Sequence, residues 1–489
     1  MSMSVTDRII TGFKATLGAR LLTNVVNGLL MVLLARVLLT PDEYGLLFLV
    51  IAIVTVTQLG ADLGLARSAA RYVSERKETD PASVPFIVRT SVNYRLLLLG
   101  LVTGALVVFR EPLAAILGEP ELSTLLVFGA LYLVGLSLFS YHQTLFQGFN
   151  RVDVSATLEV TNNLTRLAFV VALTALGFGV VGALVGYAIG ALAATALGAV
   201  LLYRRYRSFE DGGGSRSLRN RILRYSVPLT ASQSANVLDR QIDTVLVGFF
   251  LNPVAVSHYV LGKQISEFVT ALSGSLGFAV SPTFGEQKAA DSIDRAARIY
   301  ETSLQYVFVL YVPAAVGMIL VAEPTIDHVF GPEYAGAAPV LQLLGIYVVF
   351  QSVTDVTTNG LDYLGRAKHR AIAKGVTSVA NVGLNIVLIP IVGVVGAAAA
   401  TVVTFGVYTL VNVYVMHLEL SLDGYRLARA VGAAGAVATV MGAVVFVALP
   451  YVTSISTLVA VVGLGVAVWG VLVTVSGLVD PRETIAHLT

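Results

Sequence analysis

Eleven ionisable side chains stand where their neighbours in the sequence are almost all apolar. They are Arg20, Asp62, Arg95, Glu159 and Arg166 in the first half, and Asp239, Arg240, Asp243, Lys263, Glu267 and Asp355 in the second. A charge in hydrocarbon costs several kcal/mol, about 2.5–3.5 for Arg, Lys or Asp on insertion scales, so such groups face water, one another or a ligand. Arginine offers phosphate oxygens a planar fork and lysine a compact charge. Arg20, Arg166, Arg240 and Lys263 are therefore candidates for holding an anionic group on a path across a membrane. Asp62, Asp239, Glu267 and Asp355 are candidates for binding Na⁺ or a proton. Plainer uses compete with these. Lys263 and Glu267 are four apart and can neutralise one another on a helix. Asp239 and Asp243 share a helical face and can pair with Arg240, while Arg20 and Arg95 lie near span ends and can reach out to the interface.

Several chemistries are excluded at once. The chain has no cysteine, which removes disulfides, thiol catalysis and thiolate metal sites. Its six histidines show no metal-ligand spacing on an apolar helix. There is no Gly-x-x-x-x-Gly-Lys-Ser/Thr loop for an ATP-driven pump and no Asp-x-Asp for a metal-dependent glycosyltransferase. No polar segment is long enough to fold as a separate catalytic domain. The expectation is a transporter and not an enzyme, with no cofactor beyond a coupling Na⁺ or H⁺ and no nucleic-acid partner.

The elements that position these charges are membrane spans. Of 489 residues, 56% are hydrophobic and only 13% charged, about half the charge of a soluble domain. Fourteen apolar runs of spanning length follow one another, from about Arg20–Leu39 and Tyr44–Leu65 to Leu427–Leu449 and Ile455–Leu478. The third, Tyr94–Phe109, begins with a polar turn, and the eighth is placed at Val254–Val280. With the N-terminus inside, 26 of the 32 basic residues fall in inside segments and only Arg110 in an outside loop, as the positive-inside rule requires. Both termini are thus expected in the cytoplasm of a multi-pass plasma-membrane protein.

A glycine-rich stretch, Asp211-Gly-Gly-Gly-Ser215, divides the chain after six spans. Leu39-Thr-Pro41 matches Leu251-Asn-Pro253, Asn150-Arg151 matches Gly365-Arg366, and Gly179-Val-Val-Gly-Ala183 matches Gly393-Val-Val-Gly-Ala397, all at offsets of 212 to 215 residues. The reading is an all-α chain of two six-helix repeats, residues 1–210 and 223–418, with a cytoplasmic linker at 211–222 and two additional spans in 419–489. Sites in repeat-built carriers lie between the repeats near mid-membrane.

Ala35-Arg-Val-Leu-Leu-Thr-Pro-Asp-Glu-Tyr-Gly45 resembles the first-loop signature of the polysaccharide transporters of the multidrug/oligosaccharidyl-lipid/polysaccharide exporter superfamily. Pro228, Asp243, Gly248 and Tyr259, then Phe330-Gly-Pro-Glu-Tyr-Ala335, and then Asn381, Asn385, Leu388-Ile-Pro390 and Gly396-Ala-Ala398 are similar to later patterns of the same family, in the same order. The resemblance implies a V-shaped pair of lobes around a central cavity. It also implies a flippase that carries a lipid-linked oligosaccharide from the cytoplasmic to the outer leaflet; a monomer could contain the whole cavity, and glycan-assembly enzymes are expected partners. The headgroup phosphate would then be the anion for Arg20, Arg166, Arg240 and Lys263, while Asn24, Asn27, Gln143, Gln147, Asn162, Asn163, Gln233, Asn236, Gln351 and Asn359 could supply hydrogen bonds to the sugar or make interhelical contacts. A cation-coupled drug antiporter of the same superfamily is the competing expectation.

Overall fold

The computed structural model describes residues 22–206, 215–271 and 293–478, with positions 18, 212, 213, 273, 274 and 284 besides. Among the described residues there are sixteen helices and no strand. In a bilayer each backbone amide must find its partner inside its own segment, and helices meet that demand. The first nine are α1 (Leu22–Leu38), α2 (Pro41–Asp62), α3 (Leu65–Arg76), α4 (Val84–Val108), α5 (Arg110–Leu117), α6 (Glu121–Gly148), α7 (Val152–Leu173), α8 (Gly179–Tyr206) and α9 (Arg216–Phe250). Then come α10 (Pro253–Thr270), α11 (Ile293–Thr325), α12 (Ala337–Tyr363), α13 (Ala367–Val392), α14 (Val394–Leu420), α15 (Gly424–Ala448) and α16 (Ile455–Val475). Fourteen of them fall on the fourteen expected spans, and the protein is an all-α polytopic membrane protein.

The two helices beyond that count come from polar segments. α3 buries Leu65, Ala66, Ala69, Tyr72 and Val73 on one side and exposes Arg67 and Arg71 on the other, an amphipathic pattern rather than a loop. α5 is a short helix ending at Gly118 in the left-handed region. The third span also starts ten residues early, at Val84, because Ile87, Val88 and Ser91 are buried against protein and not lipid.

The chain forms two compact units, residues 1–256 and 257–489. In the first, α2 packs on α9, α4 and α6, while α8 packs on α6 and α7. In the second, α11 lies between α12 and α15, and α14 packs on α12 and α13. The junctions matched in sequence have matching backbones. Asn150 and Gly365 both take positive φ, 59° and 78°, and the following amides, Arg151 and Arg366, reach back to the carbonyls of Phe146 and Leu361 at 2.8 Å each. Gly179 and Gly393 share an unusual conformation (φ 49°, ψ −134° and φ 72°, ψ −150°), at the first residue of α8 and just before α14. Thr40 caps α2 ahead of Pro41, as Asn252 caps α10 ahead of Pro253 by accepting from the Ala255 amide at 2.9 Å.

Candidate functional site

In the first unit the polar interior has two cationic centres of opposite character. Arg95 on α4 is 1% exposed. It pairs with Asp62 at the end of α2, donates to the Ser137 carbonyl on α6 at 2.7 Å, and lies 5.4 Å from the Tyr141 ring centroid. The Tyr141 hydroxyl is within 2.7 Å of Ser91 Oγ, so the ring is fixed in turn. Arg95 does not reach for the interface, and Asp62 is committed to it.

Arg166 on α7 is half-buried and has no carboxylate partner among the described residues. It donates to Asn27 Oδ1 on α1 and lies 5.0 Å from the Tyr187 ring centroid on α8. Its Nε is buried with no hydrogen-bond partner. Helices α7 and α8 meet closely because Gly190 lets Arg166 Cα and Asn162 O approach. One turn earlier, Asn163 Nδ2 donates to Thr23 Oγ1 at 2.9 Å, fixing α1 against α7. Among the described residues the guanidinium is thus positioned by neutral groups. Arg20 lies outside the described residues. On α9, Arg240 is exposed, Asp239 half-buried, and Asp243 only 2% exposed.

In the second unit, Lys263 on α10 is half-buried with Nζ 5.9 Å from the Tyr259 ring centroid, and Glu267 is exposed. Asp355 on α12 sits in a polar pocket. It accepts from Ser273 Oγ and, at 2.6 Å, from Gln351 Nε2, whose Oε1 accepts from the Tyr347 hydroxyl at 2.8 Å. Tyr311 on α11, 3% exposed, brings its hydroxyl beside Ser273, Ser352 and Asp355.

Lys374 is one of the 26 basic residues that the loop-charge reading places on the inside. It stands on α13, Nζ 5.0 Å from both the Phe405 and Tyr408 ring centroids of α14. Phe405 in turn packs at 4.9 Å against Tyr347. Lys374, the aromatic rings, Gln351 and Asp355 therefore form one continuous cationic, aromatic and acidic track. The signal present in the sequence is position: Lys374 lies at the edge of the apolar stretch that runs on to Pro390.

Comparison with known proteins agrees with this architecture. Residues 228–387 match the MatE family model. The probable low-salt glycan biosynthesis flippase Agl15 of Haloferax volcanii is 23% identical over 386 residues, 78% of each chain. The lipopolysaccharide biosynthesis protein WzxC of Escherichia coli is 23% identical over 436 residues, 87% of this chain and 84% of its own. Among solved structures, lipid II flippase MurJ in an inward closed conformation superposes with a TM-score of 0.76 over 97% of this chain and 100% of its own. At 14% identity that likeness is one of fold. The polysaccharide biosynthesis protein family model matches residues 9–288, more than half of the chain, and the chain belongs to that family.

Proposed function

We propose that this chain is a flippase that carries a lipid-linked oligosaccharide, a glycan on polyprenyl phosphate or pyrophosphate, from the cytoplasmic to the outer leaflet by alternating access. The observation that carries the reading is Arg166: an intramembrane guanidinium held by Asn27 and set over Tyr187, without a carboxylate among the described residues. An anionic headgroup supplies the missing charge. Relatives named as glycan biosynthesis flippases support the same substrate class. The aromatic track from Lys374 to Tyr347 suits the apolar faces of sugar rings. We place both termini in the cytoplasm of a cell-membrane protein, on the charge asymmetry of its loops.

The test is transbilayer movement of a fluorescent polyprenyl-linked oligosaccharide in liposomes holding the purified protein. Arg166→Ala is expected to slow movement about tenfold, the loss typical of one charge-assisted hydrogen bond. Arg166→Lys recovers part of it, and Arg240→Ala measures the second candidate. Unchanged movement in Arg166→Ala removes Arg166 from the path.

Among the acids, Asp355 is the one we assign to ion coupling, because Asp62 is held by Arg95. Asp355→Asn is expected to leave movement at a rate that no longer responds to an imposed pH or Na⁺ gradient, measured in the same liposomes. A cation-coupled antiporter is the second reading, favoured by the MatE match and by this same acidic pocket. Gradient-driven efflux of small organic cations, with no movement of the lipid-linked substrate, would select it.

A further inference from the structure

Helix α11 contains Pro313 within its membrane stretch. Proline has no amide hydrogen, so the carbonyl four residues earlier, that of Val309, loses its helical donor. That carbonyl is buried in an apolar cluster where Val309 is 1% exposed among Ala434, Val437 and Val473. No water is available in such a place to replace the lost bond, and an orphan acceptor there is costly. The replacement comes from another helix. The indole Nε1–H of Trp469 on α16 donates to Val309 O at 2.8 Å. Trp469 is the chain's single tryptophan.

The bond is the last of three on one face of α11. One turn earlier, Gln305 Nε2 donates to the Leu478 carbonyl beyond α16 at 3.3 Å. A turn before that, Glu301, 7% exposed, accepts from the Asp423 amide at 2.7 Å and pairs with Arg426 at 3.5 Å, at the start of α15. Residues 301, 305 and 309 are spaced i, i+4, i+8, one stripe along a helix. The two additional C-terminal helices are therefore fastened to α11 from its first turns up to the proline. Two residues past Val309, on the other side of α11, Tyr311 carries the hydroxyl that borders Ser273, Ser352 and Asp355.

We propose that Trp469 is a positioning residue for transport. Its indole N–H takes the place of the amide that Pro313 lacks, ties α11 to α16 at that point, and so holds Tyr311 against the Asp355 pocket. The extra helices then serve the moving part of the second unit and not lipid anchoring alone. The transport role rests on the flippase reading above, whereas the link between Trp469 and Pro313 does not.

The experiment is a cycle between the two positions. Trp469→Phe keeps a ring and removes the donor. Pro313→Ala restores an intrahelical donor to Val309 O. Trp469→Phe is expected to lower maximal flipping per folded molecule about tenfold, the equilibrium factor for one orphaned buried acceptor, with the half-saturating substrate concentration unchanged. It should also lower the thermal midpoint in detergent. In the Pro313→Ala background the same substitution is expected to cost little in either readout. If Trp469→Phe does not fold, Pro313→Ala/Trp469→Phe must fold, because the orphan acceptor is gone. Equal thermal losses in both backgrounds, or failure of the double variant to fold, overturns the link. Coupled thermal losses with flipping left unchanged overturn the transport role. A wild type that flips no lipid-linked oligosaccharide counts against the substrate reading, and the thermal cycle still decides the link.

Discussion

Arg95→Met should cost about 3–5 kcal/mol of stability, the range for breaking a buried ion pair by removing one partner. The argument is local. Arg95 is 1% exposed and Asp62 15%, so removing the guanidinium leaves a carboxylate in a place where water reaches it poorly. The Ser137 carbonyl loses its donor in the same step, and Tyr141 loses the cation it packs against. Methionine fills much of the volume, so the loss is charge and hydrogen bonding more than packing. The double variant Asp62→Leu/Arg95→Met should regain most of the stability, since replacing a whole buried pair with apolar groups is near neutral. What stays lost is the bond to Ser137, about 1 kcal/mol. Unfolding titrated with SDS in mixed micelles measures all three proteins. Asp62 was a candidate for ion coupling on sequence grounds, and the same double variant addresses that: if the pair is structural, gradient dependence of flipping survives it. A single variant as stable as wild type would mean that Asp62 is hydrated and free for another role.

What the sequence discloses and what it hides divides along a physical line. A span announces itself because lipid demands a continuous run of apolar residues, so α2, α6, α14 and α16 are legible from composition alone. The matched junctions are legible where backbone geometry is demanding: Asn150 and Gly365 sit at positive φ, and few residues tolerate it. Side-chain partners across helices have no such local signature. Asp62 and Arg95 are 33 residues apart, and Trp469 and Val309 are 160 apart. Nothing in either neighbourhood marks the other. Arg95 and Arg166 look alike in the sequence, each an arginine in an apolar stretch. Only packing separates a neutralised guanidinium from one held by an asparagine and a tyrosine. α3 was hidden for another reason: its charged face outweighs its buried one in any average, although the spacing of Leu65, Ala69, Tyr72 and Val73 carries the helix.

Gly45→Ala is expected to be the most damaging glycine-to-alanine substitution among the described residues. Gly45 ends the segment that resembles the family's first-loop signature, and the structure supplies the reason for each part of that segment. Thr40 caps α2 by accepting from the Glu43 amide, Glu43 reaches back to the Thr40 amide at 2.9 Å, and Pro41 takes the first helical position, where no donor is needed. Tyr44 is fully buried. Gly45 then faces the start of α10, where a Cβ would overlap the Pro253 carbonyl. The obstacle is backbone and not a side chain that can rotate away. Relief requires moving the first turn of α2 or the Asn252–Pro253 turn, and both are fixed by caps. Overpacking of this kind costs about 1–3 kcal/mol where side chains can yield, and more where they cannot. We expect a loss above about 3 kcal/mol, read as a drop in folded yield and in the SDS midpoint. Two comparisons isolate the cause. Gly248→Ala meets Leu49 Cδ1 at 2.7 Å, a side-chain end that can shift, and should cost less. Gly104→Ala on α4 meets nothing within 4 Å and should be tolerated. A Gly45→Ala protein as stable as Gly104→Ala would refute the close approach of the two helix starts, and with it the structural reading of the signature.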